Sequence, residues 1–259
     1  MKHSLVPGLI LLLTVACAST FSEVAVGPDE TAPEVLKTAT TTEKEVPVAL
    51  RWVRNSAEHR AVYLQAFRAA SWVVEVMAAE RLPDTWAVAL DGDETVIDNS
   101  LYELERALEG QSMTDESWDE WVRRKAAPPL PGVRAFLEHV HDLGGKIAIV
   151  TNRRQHHCEA TEENFHLHEL PFDVILCRSD TGEKEPRWRS VEDGTATAGL
   201  PALEIVMWLG DNIEDFPDLD QSLRLEADEE FAGFGSRFFV LPNPLYGSFP
   251  RNPPEHLAE

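Results

Sequence analysis

The 259-residue chain carries 45 acids against 23 lysines and arginines, a formal net charge of −22. That balance argues against a nucleic-acid polymer as partner and against adsorption to anionic membranes. Hydrophobic residues make up 43% of the chain, enough for one globular domain with short extras.

The chain opens on a short positive head, Met1-Lys2-His3, followed by an apolar run at residues 5–17 (LVPGLILLLTVAC) that is too short to span a bilayer. Residues 1–18 read as a secretory signal removed on export. Two cleavage readings stand. In the preferred one, Ala16-Cys17 is a lipobox and Cys17 becomes the lipidated first residue of a periplasmic or outer-membrane lipoprotein, attached to the membrane only through that lipid. In the other, Ala16-Cys17-Ala18 is a small-x-small site and the product is soluble. Residues 19–50, rich in Thr, Glu, Ala and Pro, have no sustained apolar period and read as a flexible tether.

Order is expected from about Arg51, in a domain spanning residues 51–251, with a tail at 252–259. Asn55 and Glu58 stand at capping-box spacing, and Val62, Ala66, Ala69, Val73 and Met77 follow at helical spacing. Apolar strands are then predicted at 85–91, 146–151, 173–177, 204–211 and 237–243, with helices at 131–143 and 154–170 between them. Short apolar strands alternating with helices predict an α/β fold: a parallel, Rossmann-like sheet with helices on both faces. Residues 99–130 are too long and too polar for a simple crossover, and are read as a small, mainly helical cap.

In such a sheet, sites form at the carboxyl ends of the strands. The first end presents Asp91-Gly92-Asp93, the second Thr151 and Asn152. Lys184 lies beyond the third, and the fourth presents Asp211, with Asp215 after it. Acids this dense need a cation, or one of them must stay protonated. Carboxylates without thiolate or imidazole favour Mg²⁺ over zinc. An EF-hand is excluded, because position 96 is Val rather than Gly and position 102 is Tyr rather than Glu. Thr151, Asn152 and Lys184 can hold a phosphoryl group, Asp91 can attack it, and Asp93 can act as acid and base. No Walker-type phosphate loop is present.

DGDETVIDN (91–99), TNR (151–153), GEKEPRWR (182–189) and GDNIEDF (210–216) resemble the four ordered motifs of the haloacid-dehalogenase superfamily. With LPNPLYGSF (241–249), they resemble more narrowly the class C, bacterial non-specific acid phosphatases. The resemblance implies an exported Mg²⁺-dependent phosphomonoesterase with Asp91 as nucleophile and Asp93 as acid/base. It implies Asp91, the Asp93 carbonyl and Asp211 as metal ligands, and Thr151, Asn152 and Lys184 on the phosphate. Asp215 would orient the lysine and metal waters, and Trp118, Tyr246 and Tyr102 would form a platform for aromatic or nucleoside monophosphates. The expected partners are small phosphate monoesters; a homodimer stays open. A phosphotransferase and a non-catalytic binding or storage lipoprotein on the same fold are the alternatives.

Other features take plainer readings. Cys158 and Cys177 are expected as two buried free thiols, although an oxidising compartment permits a disulfide. His156, His157, Cys158, His166 and His168 read as a solvated helix face. Trp121 reads as cap core, Arg153, Arg187 and Arg189 as surface charges, and Glu94 as a turn cap.

Overall fold

The computed structural model describes residues 45–253. The expectations for the signal, Cys17, most of the tether and the end of the tail fall outside them. The described helices and strands run α1 (Val48–Asn55), α2 (Ala57–Ala78), β1 (Trp86–Leu90), α3 (Ser100–Glu109), α4 (Asp115–Arg124), α5 (Val133–Asp142), β2 (Lys146–Arg154), α6 (Cys158–Leu167), β3 (Val174–Arg178), α7 (Glu185–Glu192), β4 (Glu204–Gly210) and β5 (Phe238–Val240). The strands form one parallel sheet in the order β3-β2-β1-β4-β5. Winding therefore reverses at β1, which is where an open α/β sheet leaves a crevice beyond its strand ends.

Burial on both faces explains why the strands read as unbroken apolar runs. Every residue of β1 is buried. Val88, Leu90, Ile147 and Ile149 point to the face covered by α2, α5 and the cap, while Ala87, Ala89, Ala148 and Val150 point to the face that carries Trp188, Val191 and Phe216. No helix among the described residues is long and apolar enough to cross a membrane.

Several expectations are corrected. Order begins within the predicted tether, since α1 starts at Val48 and already buries Leu50 and Val53. The α2 cap is Ser56, whose hydroxyl accepts the His59 amide at 3.0 Å, rather than Asn55. The most buried stripe of α2 is Tyr63, Phe67, Ala70 and Val74; Ala66, Ala69, Val73 and Met77 flank it, and Val62 is exposed. The two stripes differ by one residue, and α2 is apolar over a wide enough arc to support either. The segment after Lys184 forms a further helix, α7, with a proline in its first turn. Finally, Cys158 and Cys177 form a disulfide, with Cα atoms 5.9 Å apart. Cys158 opens α6, which packs back over β3, and that fold brings it onto Cys177 across 19 residues of sequence.

Candidate active site

Strand register places the functional residues. Leu90 of β1 stands level with Ile149 of β2 and with Leu209 of β4. Asp91 is therefore level with Val150 and Gly210, and Thr151 and Asp211 follow one residue further along, at the same edge. Gly210 is required here, because a Cβ on it would lie 2.3 Å from the Asp215 Cβ. With no side chain there, Asp215 folds back against the strand end, and its carboxylate accepts the Asn212 amide at 2.9 Å.

Lys184 is buried and donates to both Asp91 and Asp215, the second contact at 2.7 Å. Asp91, Asp211 and Asp215 present carboxylate oxygens within 4.8 Å of one another. One lysine thus faces three acids. Burial, then Asp215 and Asp93, push the Asp91 carboxyl up to about 7, although Lys184 opposes the shift. Burial, then Asp215 and Asp91, push Asp211 well above the usual carboxylate range. Burial alone would lower Lys184, but the two carboxylates outweigh it and hold the ammonium charged.

This donor set, all hard oxygen, suits Mg²⁺. A divalent cation would be held by Asp91 and Asp211 and would relieve the repulsion. The predicted ligand set placed Asp215 further out; in the structure its carboxylate lies inside the same acidic cluster while also holding Lys184. Asp211 is prepared from both sides: Thr95 Oγ1 donates to it at 3.1 Å and Asn243 Nδ2 at 2.8 Å. Asn243 belongs to the LPNPLYGSF segment, which thereby reaches the acids as well as the pocket.

Two arginines expected at the surface belong to the site. Arg153 is buried and grips both Asp93 oxygens, with Nε at 3.0 Å from each and Nη2 at 2.7 Å from Oδ1. Asn99 Nδ2 also donates to Asp93, at 2.8 Å, and the Asn99 side-chain oxygen accepts from Trp121 Nε1 at 2.7 Å. The acid/base candidate is thus fastened to the cap core. Arg187, half-buried, donates to the Thr151 carbonyl and, at 2.7 Å, to Asn152 Oδ1. That bond leaves the Asn152 amide nitrogen as the donor available to a ligand. Arg189 is the surface charge it was expected to be, paired with Glu185. Arg153 follows directly on TN in the second motif, and that adjacency was the available signal.

Glu94 does more than cap a turn. It is buried with φ +54°, its carboxylate accepts the Asn99 amide at 2.8 Å, and its carbonyl accepts from Tyr63 Oη at 2.6 Å. The turn that carries Asp93 is therefore pinned at both ends.

A cavity of about 580 Å³ opens over these groups, lined by Asp91, Asp93, Thr151, Asn152, Asp211 and Asp215 below and by Trp118, Met113 and Tyr246 above. Trp118 and Tyr246 are thus brought to the acids. Tyr102 is not: it is buried in the cap, with its ring edge-on to Trp118 at 5.2 Å and its hydroxyl on Ser117. Trp121 is cap core, as expected.

The family model for HAD superfamily, subfamily IIIB (acid phosphatase) matches residues 15–249. The structure resembles that of the class C acid phosphatase from Bacillus anthracis, with a TM-score of 0.69 and 28% identity, covering 77% of this chain and 84% of that one. The tungstate-bound form of the class C acid phosphatase from Bacillus anthracis matches with a TM-score of 0.68 and 26% identity over the same shares. Acid phosphatase 1 of Solanum lycopersicum is 30% identical over 172 residues, which are 63% of this chain and 58% of that protein. The match therefore spans less than two thirds of the tomato protein.

Proposed function

The chain belongs to the acid phosphatases of HAD subfamily IIIB, and from that premise we propose that it is an exported, Mg²⁺-dependent phosphomonoesterase working through a phosphorylated Asp91. One observation carries the reading: Asp91 sits at the floor of the cavity among Asp93, Asp211 and Asp215, with Lys184 bonded to it. The class C acid phosphatase from Bacillus anthracis, to which the structure is similar, holds tungstate, a tetrahedral oxyanion of the shape of a phosphate group before and after transfer.

The chemistry follows from the placement. Thr151, the Asn152 amide and Lys184 hold the phosphoryl oxygens as negative charge redistributes among them. Asp91 Oδ attacks phosphorus and the ester P–O bond breaks. Asp93, held by Arg153 and Asn99, gives its proton to the departing alkoxide. The alcohol leaves, and Asp93 takes a proton from the water that attacks the phosphorylated Asp91. Inorganic phosphate departs and Asp91 is restored. A bound Mg²⁺ would supply charge neutralisation between the nucleophile and the incoming phosphate.

The walls set preference, since these groups touch only the phosphate. Trp118 and Tyr246 offer aromatic faces, so aromatic and nucleoside 5′-monophosphates are the proposed substrates. Export, and a lipid on Cys17, are proposed from the N-terminal sequence; the Cys158–Cys177 disulfide fits an oxidising compartment. The test is phosphate release from a panel of monoesters, with Mg²⁺ and with chelator, for the native protein and Asp91→Asn. The variant should keep the fold and lose roughly 10⁴-fold or more in kcat, as nucleophiles acting within a catalytic unit do. Substantial turnover in Asp91→Asn, or full activity after exhaustive chelation, would overturn the mechanism.

A further inference from the structure

Where β2 ends, the chain makes a turn at Gln155–His157 that lies against α4 of the cap. There, His156 Nε2 and His157 Nε2 converge on one oxygen, Asp119 Oδ1, at 3.2 and 2.6 Å. The two imidazole rings are neighbours, with centroids 4.0 Å apart. Two ring nitrogens and a carboxylate oxygen, all within 4.8 Å of one another, make a donor set distinct from the aspartate cluster and of different chemistry.

We propose that Asp119, His156 and His157 form a second metal site, selective for Zn²⁺, that clasps the cap to the end of β2. Imidazole nitrogen suits zinc, whereas Mg²⁺ takes oxygen donors, so the two centres would sort the two cations. Three protein ligands with water in the fourth position is a usual zinc arrangement. Ligand atoms about 2.0–2.1 Å from a tetrahedral zinc stand about 3.3 Å apart; the His156–Asp119 separation of 3.2 Å already matches, and the His157–Asp119 separation of 2.6 Å would have to open by about 0.7 Å.

The protonation states permit it. Each ring must offer Nε2 as a lone pair and carry its proton on Nδ1. His157 is buried, and its Nδ1 has no hydrogen-bond partner. Nothing on that side commits the ring to the opposite tautomer. Burial also lowers the His157 pKa, which keeps the ring neutral. Binding forms only coordinate bonds, and the proton leaving Nε2 is replaced at Nδ1 by exchange with water.

Position gives the clasp a consequence. Asp119 adjoins Trp118, which lines the catalytic cavity, and the neighbouring strap between the same elements is an exposed Arg154–Asp115 pair, a weak kind of contact. Zinc at the clasp would hold the Trp118 wall in place.

The experiment is equilibrium dialysis of the full chain against Zn²⁺ under saturating Mg²⁺, with metal content measured directly. The native protein and an Asp211→Asn variant should each retain one Zn²⁺ per chain. His156→Ala should bind it roughly 100-fold more weakly, since even loss of a supporting partner costs 10–100-fold. Its side chain is 56% exposed, so this variant tests the site without disturbing the core. Asp119→Asn provides a second arm. Saturating Zn²⁺ should also raise the Tm of the Mg²⁺-loaded native protein by about 5 °C, and that of His156→Ala not at all. Zinc lost under saturating Mg²⁺, zinc lost with Asp211→Asn, or equal retention by native protein and His156→Ala would each overturn the proposal.

Discussion

The carboxyl edge of the sheet and the cap above it are built on opposite terms. At the edge, charges are buried and crowded: Asp91, Glu94, Lys184 and Asp215 are all nearly inaccessible to solvent, and Asp211 is pressed against them. The cap is held by rings and by ion pairs that water reaches, such as Tyr102 against Trp118 and Trp121 and the exposed Arg124–Glu105 contact. The edge stores electrostatic cost at the place where chemistry needs it. The cap carries almost none, and can be reshaped cheaply. Arg153 and Asn99 join the two in the interior, through Asp93 and Trp121.

The largest break in that comparison should come from removing divalent metal. The Asp91 and Asp211 carboxyls are raised in the folded protein, by burial first and then by their acidic neighbours. A raised folded-state pKa stabilises below the unfolded value near 4, and for Asp91 that contribution is lost as pH rises through about 7. Metal-free protein should therefore melt roughly 10 °C or more higher at pH 5 than at pH 8, and Mg²⁺ should recover most of the difference at pH 8. Calorimetry of chelated samples across that range checks it; a Tm independent of both pH and Mg²⁺ would remove the electrostatic contrast.

Next in size is the joint itself. Arg153→Ala leaves Asp93 without its guanidinium, and breaking a buried pair costs about 3–5 kcal/mol. Denaturant melts should show that loss, with kcat falling more than KM rises. A loss under about 1 kcal/mol would mean that Asp93 and the cap are not fastened through this residue.

The sheet also has a covalent strap, while the described part of the cap has none. Closing a loop of this length stabilises by about 3 kcal/mol in the chain-entropy account. The paired Cys158→Ala/Cys177→Ala substitution should cost that much and leave KM nearly unchanged, since neither cysteine lines the cavity. A selective rise in KM would show the strap acting on the site.

The smallest effect should be the one that sharpens the cap's role. If Trp118 stacks on the substrate, Trp118→Ala should lower kcat/KM for a nucleoside monophosphate by about 1–3 kcal/mol and hardly affect glycerol phosphate. Equal losses on both, or losses tracking thermal unfolding, would make the ring structural, as Tyr102 is.

The strand order of chemistry was legible without coordinates. Apolar runs end in Asp91, Thr151 and Asp211, and a parallel sheet must bring such ends together, so local pattern plus one topological rule suffices. Lys184 was legible only by its place in the motif order; Arg187 and Arg189 follow it in the same segment, and its burial against Asp91 and Asp215 is what singles it out. What sequence left open depends on contacts between residues far apart in the chain. Arg153 looks like any polar residue after a strand until 60 residues of chain fold Asp93 back onto it. Arg187 looks like surface until the packing of α7 carries it under Thr151 and Asn152. The cysteines lack a framework pattern, and only the return of α6 across β3 brings them within bonding distance. Tyr102 and Trp118 are both cap aromatics in sequence, and the packing of α3 against α4 decides that one is buried and the other faces the acids. Side-chain type and periodicity say which groups can do the chemistry; the direction in which each one points is settled only when helices pack, because a rotation of one residue on a helix turns its face by about 100°.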